Sequence, residues 1–209
     1  RDLQLNIRLE ERKEYGNQRP VLIKPSKQPI LPPPDLNTSM TNEKWFTYIE
    51  QPLGEEERIF WRRYGIDART LQRFHVKSLA RYESISSQDK QFSLVSTQEE
   101  PMFAYCLGKF VKVYRPKSKL RFLYGGEKVD DYVFGFEQLP SKGDMIFITG
   151  GEKDVLSLTA HGFNAICFNS ETAQIPENII EGLQLRFRHI IILYDSDETG
   201  IREAKRQTD

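Results

Sequence analysis

Asp195 and Asp197 stand one residue apart in the stretch ILYDSDETGIREAKR, residues 192–206. An apolar run precedes them and a helical pattern follows. A second acidic group, Glu152 and Asp154, comes directly after the glycine pair Gly150–Gly151, again behind an apolar run, DMIFIT. Carboxylates with no His or Cys among them are hard oxygen donors, which suit Mg2+ or Mn2+ rather than zinc. Such ions position phosphates and offset developing negative charge. With Asp195 closing a strand and Asp197 opening the loop, both acids can face one ion. The competing reading is plainer: Asp197 or Glu198 caps the next helix and Asp195 is solvated.

A second feature is basic. No acid occurs between Glu100 and Glu127, and GKFVKVYRPKSKLRFLYGG carries Lys109, Lys112, Arg115, Lys117, Lys119 and Arg121. Phe110, Tyr114, Phe122 and Tyr124 interleave with them. Basic side chains bind phosphates, and aromatic faces can stack bases. On a hairpin, alternation puts Lys112 and Tyr114 on one face. The alternative is a solvated outer face with the aromatics in the core. The net charge of zero hides an asymmetry: residues 141–209 hold seven Lys/Arg and eleven Asp/Glu, a net of −4, so residues 1–140 carry +4. A cation site beside an anion-binding surface fits that division.

Other chemistries find no support. His75, His161 and His189 are scattered and suggest no triad. GGEK lacks the spacing of a phosphate-binding P-loop. Cys106 and Cys167 lie far apart in apolar segments, which reads as two buried thiols in a reducing, cytoplasmic compartment. No apolar run approaches the roughly 18–20 residues of a membrane span.

The elements that must hold these residues can be read from the pattern. Six of eleven prolines fall from Pro20 to Pro34, so residues 1–40 are expected to form a linker or an arm on the surface. Residues 41–76 read as helical, with Gly65 as a stop and Asp67 as an N-cap. FSLVS, MFAYCLG, KFVKVYRP, LRFLYGG and DYVFGF, between Val76 and Phe136, read as antiparallel strands. From Asp144 the chain alternates strand and helix: DMIFITGG, EKDVLSLTAHG, NAICFN, IPENIIEGLQLRF, HIIILYD and ETGIREAKR. That rhythm predicts a parallel sheet with right-handed crossovers. HIIILYD lacks alternation, as expected of a strand buried on both faces. The expected fold class is α/β and α+β: helices and antiparallel strands over 41–140, then a parallel-sheet unit over 141–209. Ligand sites in parallel sheets lie beyond the carboxyl ends of the strands, where both acidic groups fall.

FITGGEKDVLSL together with IILYDSDETG resembles the Toprim domain of bacterial primases, phage-type primase-helicases, topoisomerases and some nucleases. The resemblance covers about 141–209, and it extends more loosely over about 55–140 to the basic domain of Toprim primases. It implies a metal site of Mg2+ or Mn2+ at Asp154, Asp195 and Asp197. It also implies a single-stranded DNA template, nucleoside triphosphates and a replicative helicase, fused or separate, as partners. Lys112, Arg115 and Lys119 match best the basic residues that face template and nucleotide. One departure stands out. The family's first acidic motif, usually Glu-Gly-x-x-Asp, here places Gly150 where the general acid/base Glu is expected. Glu152, in the same turn, is the candidate substitute, as catalytic residue and metal ligand. Asn169, Ser170, Glu171 and Thr172, in CFNSETAQIP, resemble the polar turn of other members; they either line the same edge or form a plain loop. A catalytic core fragment of a DNA primase of a phage or mobile element is the leading reading. A zinc-binding module is expected upstream, and a last strand beyond Asp209. A non-catalytic single-stranded-DNA-binding module and a Toprim nuclease are the alternatives.

Overall fold

Alternating aromatic and polar residues begin the described chain. The computed structural model describes residues 46–85, 91–126 and 132–208, so the arm expected over 1–40 lies outside it. Phe46–Gln51 (FTYIEQ) is a strand, β1, where the sequence reading placed helix. The reason is pairing with the strand over 76–85: Phe46 stacks across on Tyr82 with ring centroids 6.5 Å apart, and along its own strand on Tyr48 at 6.2 Å. Two short helices follow. α1 (Glu55–Arg62) carries three acids in its first turn and buries Trp61 completely. α2 (Ala68–Arg73) is capped by Asp67, whose carboxylate accepts from the Thr70 amide at 2.8 Å.

Then come β2 (Val76–Ile85), β3 (Gln91–Val95), β4 (Met102–Leu107), β5 (Phe110–Tyr114) and β6 (Phe122–Gly126). With β1 they form an antiparallel sheet in the order β1-β2-β4-β5-β6; the long β2 pairs with β4 along its first half and β3 along its second. The described part of DYVFGF, residues 132–136, is not a strand. Phe134 makes one antiparallel bridge to Cys167, and Phe136–Gln138 forms a 3-10 turn.

The strand–helix alternation after Gly143 is present as read. β7 (Gly143–Thr149), α3 (Glu152–Ala160), β8 (Ala165–Cys167), α4 (Glu177–Gln184), β9 (Phe187–Leu193) and α5 (Glu198–Thr208) build a parallel sheet in the order β8-β7-β9. β9 is one of the two outer strands of this sheet among the described residues. Its Leu193 is 47% exposed, so it is not buried on both faces as its unbroken apolar run suggested.

Residues from both sides of position 140 enter one core. Trp61, Phe74, Phe103, Tyr105 and Tyr114 pack with Phe134, with Val155 and Leu156 of α3, and with Cys167 of β8. Burial pushes the Cys167 thiol well above its ordinary value, as suits a packing residue. A second cluster, including Ile146, Ile148, Ile166 and Leu183, holds the far face of the parallel sheet. No helix among the described residues is long and apolar enough to cross a membrane.

Candidate active site

Strand register decides which loops meet. Thr149 at the end of β7 is level with Cys167 on β8 and with Leu193 on β9. All three strands are parallel, so the residues just beyond them emerge together. Gly150 and Gly151 leave the central strand, Asn169–Thr172 leave one neighbour, and Asp195–Asp197 leave the other. The sequence therefore brings its two acidic groups and its polar turn to a single edge.

Asp154 lies in the first turn of α3 and is half-buried. Burial pushes its carboxyl up; Lys153 pulls it down, while the charges of Asp195, Glu152 and Glu171 push it further up. That mutual repulsion is the electrostatic mark of carboxylates gathered at one place. Asp195 is exposed, and its backbone amide donates to Glu171 Oε1 at 3.1 Å. Asp197 Oδ1 accepts from the Gly200 amide at 2.8 Å, so this acid does cap α5, as the plainer reading of the pair required. The cap orients Asp197 without using its second carboxylate oxygen in that bond.

Glu152 is placed differently from expectation. It is 2% exposed and turned inward. Its Oε1 receives Lys112 Nζ at 2.6 Å and the Tyr132 hydroxyl at 2.8 Å. Burial, then the Glu152 charge, pushes the Tyr132 hydroxyl well up, so it stays a proton donor to that carboxylate. Both contacts fall on one oxygen of a side chain shut off from solvent, so the structure places Glu152 as the buried ion-pair partner of Lys112 rather than at the exposed edge with Asp195, where it was expected as a ligand.

Lys112 is corrected with it. The alternation placed Lys112 beside Tyr114 as read, but that face of β5 is turned to the protein, and Lys112 is 3% exposed. Its Nζ also donates to the Asn169 carbonyl at 3.2 Å and lies 4.5 Å from the Phe122 ring centre. Arg115 is also buried. Its Nη2 meets Glu100 Oε2 at 2.9 Å and its Nη1 reaches the Leu120 carbonyl, which fixes the 115–121 turn. Neither side chain is placed to meet a nucleic acid. Lys109, Lys117, Lys119 and Arg121 are exposed, as is Tyr124. These are the members of the basic set on the surface.

Among the described residues, no group of three or more His, Cys, Asp or Glu is close enough to hold a metal ion by side chains alone. The donor chemistry nevertheless fits a Mg2+-type ion. The donors are carboxylates, they repel one another, and Mg2+ is commonly held by one or two carboxylates plus water and substrate phosphate.

No protein-family model and no curated protein sequence matches the chain. Solved structures do. The catalytic core of the primase DnaG aligns with a TM-score of 0.55 at 15% identity, over 75% of this chain and 60% of that one. The DnaG primase catalytic domain bound to single-stranded DNA aligns with a TM-score of 0.52 at 16% identity, over 76% and 61%. The primase fragment of the bacteriophage T7 primase-helicase aligns with a TM-score of 0.50 at 17% identity, over 83% and 68%. The chain thus has the fold of primase catalytic cores and spans about 60% of the length of the DnaG structures it matches.

Proposed function

We propose that this chain, with its primase-core fold, is part of a DNA primase that joins nucleotides on a single-stranded DNA template by metal-dependent phosphoryl transfer. What supports the reading is the register that puts the ends of β7 and β9 level, with Asp154 following the first strand and Asp195 and Asp197 following the second. These three acids are the residues that would hold Mg2+ or Mn2+. When bound, such an ion positions a nucleoside triphosphate and offsets the charge that develops in transfer to a 3′ hydroxyl. The chain's own residues do the rest. The Gly200 amide orients Asp197, the Lys112–Glu152 pair fixes the start of α3 and hence Asp154, and the exposed Lys109, Lys117, Lys119 and Arg121 offer phosphate contacts to the template. A helicase partner and a cytoplasmic setting belong to the same reading.

Calorimetric titration of Mn2+ tests the metal site. Saturable binding is expected in the wild type and none in Asp195→Ala/Asp197→Ala. Equal binding by both, or none by a folded wild type, would count against the reading. In the second case the non-catalytic module that binds single-stranded DNA would take its place.

A further inference from the structure

We infer that Glu171 supplies the carboxylate that Gly150 lacks. The inference rests on the metal-dependent reading above and names a residue for the same edge. A Cβ built on Gly150 would run into the Glu171 carboxylate, with Glu171 Cγ and Cδ each 3.0 Å from it. The space a side chain at 150 would use is thus already filled, and it is filled by an acid from the neighbouring strand's loop. Glycine at 150 and glutamate at 171 are complementary: the first makes room, and the second arrives in it.

The placement is built rather than incidental. The Asp195 amide donates to Glu171 Oε1, which ties this carboxylate to the Asp-x-Asp turn. The loop itself is gripped by the last turns of α5, where Arg206 Nη2 donates to the Thr172 carbonyl at 3.2 Å and Gln207 Nε2 to the Ala173 carbonyl at 2.9 Å. The other candidate for the missing acid, Glu152, is buried against Lys112 and Tyr132. Glu171 is partly exposed and sits between the two motifs.

The test is Mn2+ titration of the 209-residue chain in four forms: wild type, Asp195→Ala/Asp197→Ala, Glu171→Gln, and the swap Gly150→Glu/Glu171→Ala. Thermal melting checks that each is folded. Glu171→Gln keeps an oxygen for the Asp195 amide and removes only the charge. It is expected to weaken Mn2+ binding roughly 10- to 100-fold, and the swap to return it to within about threefold of wild type. Glu171→Gln binding as tightly as wild type, while the double aspartate variant has lost binding, would overturn the inference and leave the metal site standing. A folded swap no tighter than Glu171→Gln would also overturn it. Should the swap misfold, the isosteric Glu171→Gln decides alone. A wild type that binds no Mn2+ overturns both this inference and the reading beneath it.

Discussion

Lys112→Met is expected to cost about 3–5 kcal/mol of folding stability, because it strands a buried carboxylate. The Lys112 and Glu152 side chains are 4% and 3% exposed, and their charged atoms meet at 2.6 Å. Without the ammonium, Glu152 retains the Tyr132 hydroxyl but no opposing charge. A domain of this size has only about 5–15 kcal/mol in hand, so the variant should unfold at far lower urea than wild type. The double variant Lys112→Met/Glu152→Leu removes both charges and fills both volumes with apolar atoms. It is expected to recover most of the loss, since well-packed apolar replacements of buried ion pairs are often neutral. Urea unfolding of the three proteins checks this. A single variant within about 1 kcal/mol of wild type would mean that the pair is solvated rather than buried. The pair also joins β5 of the antiparallel sheet to the first turn of α3, so it ties the basic domain to the acidic edge.

Gly200→Ala is the second large effect, and its sign runs against helix propensity. In an ordinary helix this change gains up to about 1 kcal/mol. Here Gly200 is buried in the first turn of α5, and a Cβ would land on the Asp195 carbonyl oxygen, with the Asp195 carbonyl carbon 2.8 Å and its amide nitrogen 3.0 Å away. Those atoms are backbone and cannot swing aside as a side chain can. The chain must shift, at a cost of about 1–3 kcal/mol. What shifts is the turn that carries Asp195 and Asp197, so Mn2+ binding should weaken roughly tenfold or more. Thermal melting and Mn2+ titration read the two effects. A variant as stable as wild type with unchanged Mn2+ affinity would show that Gly200 is not packed against the Asp195 backbone.

Much of this arrangement was legible in the sequence, and the limits are instructive. The alternation from Asp144 onward predicted the parallel sheet, because helical and strand periodicities are local properties. The Asp-x-Asp and Gly-Gly-Glu-x-Asp groups could be placed at strand ends for the same reason. Their meeting at one edge needed β7 and β9 to be neighbours, which register shows and local pattern does not. Lys112 was misread because FVKVY looks alike whether the lysine faces water or a buried acid; its partner lies 40 residues away in sequence. Phe46–Gln51 was misread because its strand character comes from pairing with β2, more than 25 residues on. Glu171 was visible only as one of four polar residues in a turn. The signal that singles it out is Gly150, and that signal is readable only once the two positions are seen to share one space.

The central claim is tested most directly by templated primer synthesis. The protein that carries this chain would be given single-stranded DNA, nucleoside triphosphates and Mg2+, beside its Asp195→Ala/Asp197→Ala variant. The account predicts short primers from the wild type and a loss of roughly 100-fold or more in the variant. Equal rates from the two proteins, or no primers from a folded wild type that binds both Mn2+ and template, would contradict it.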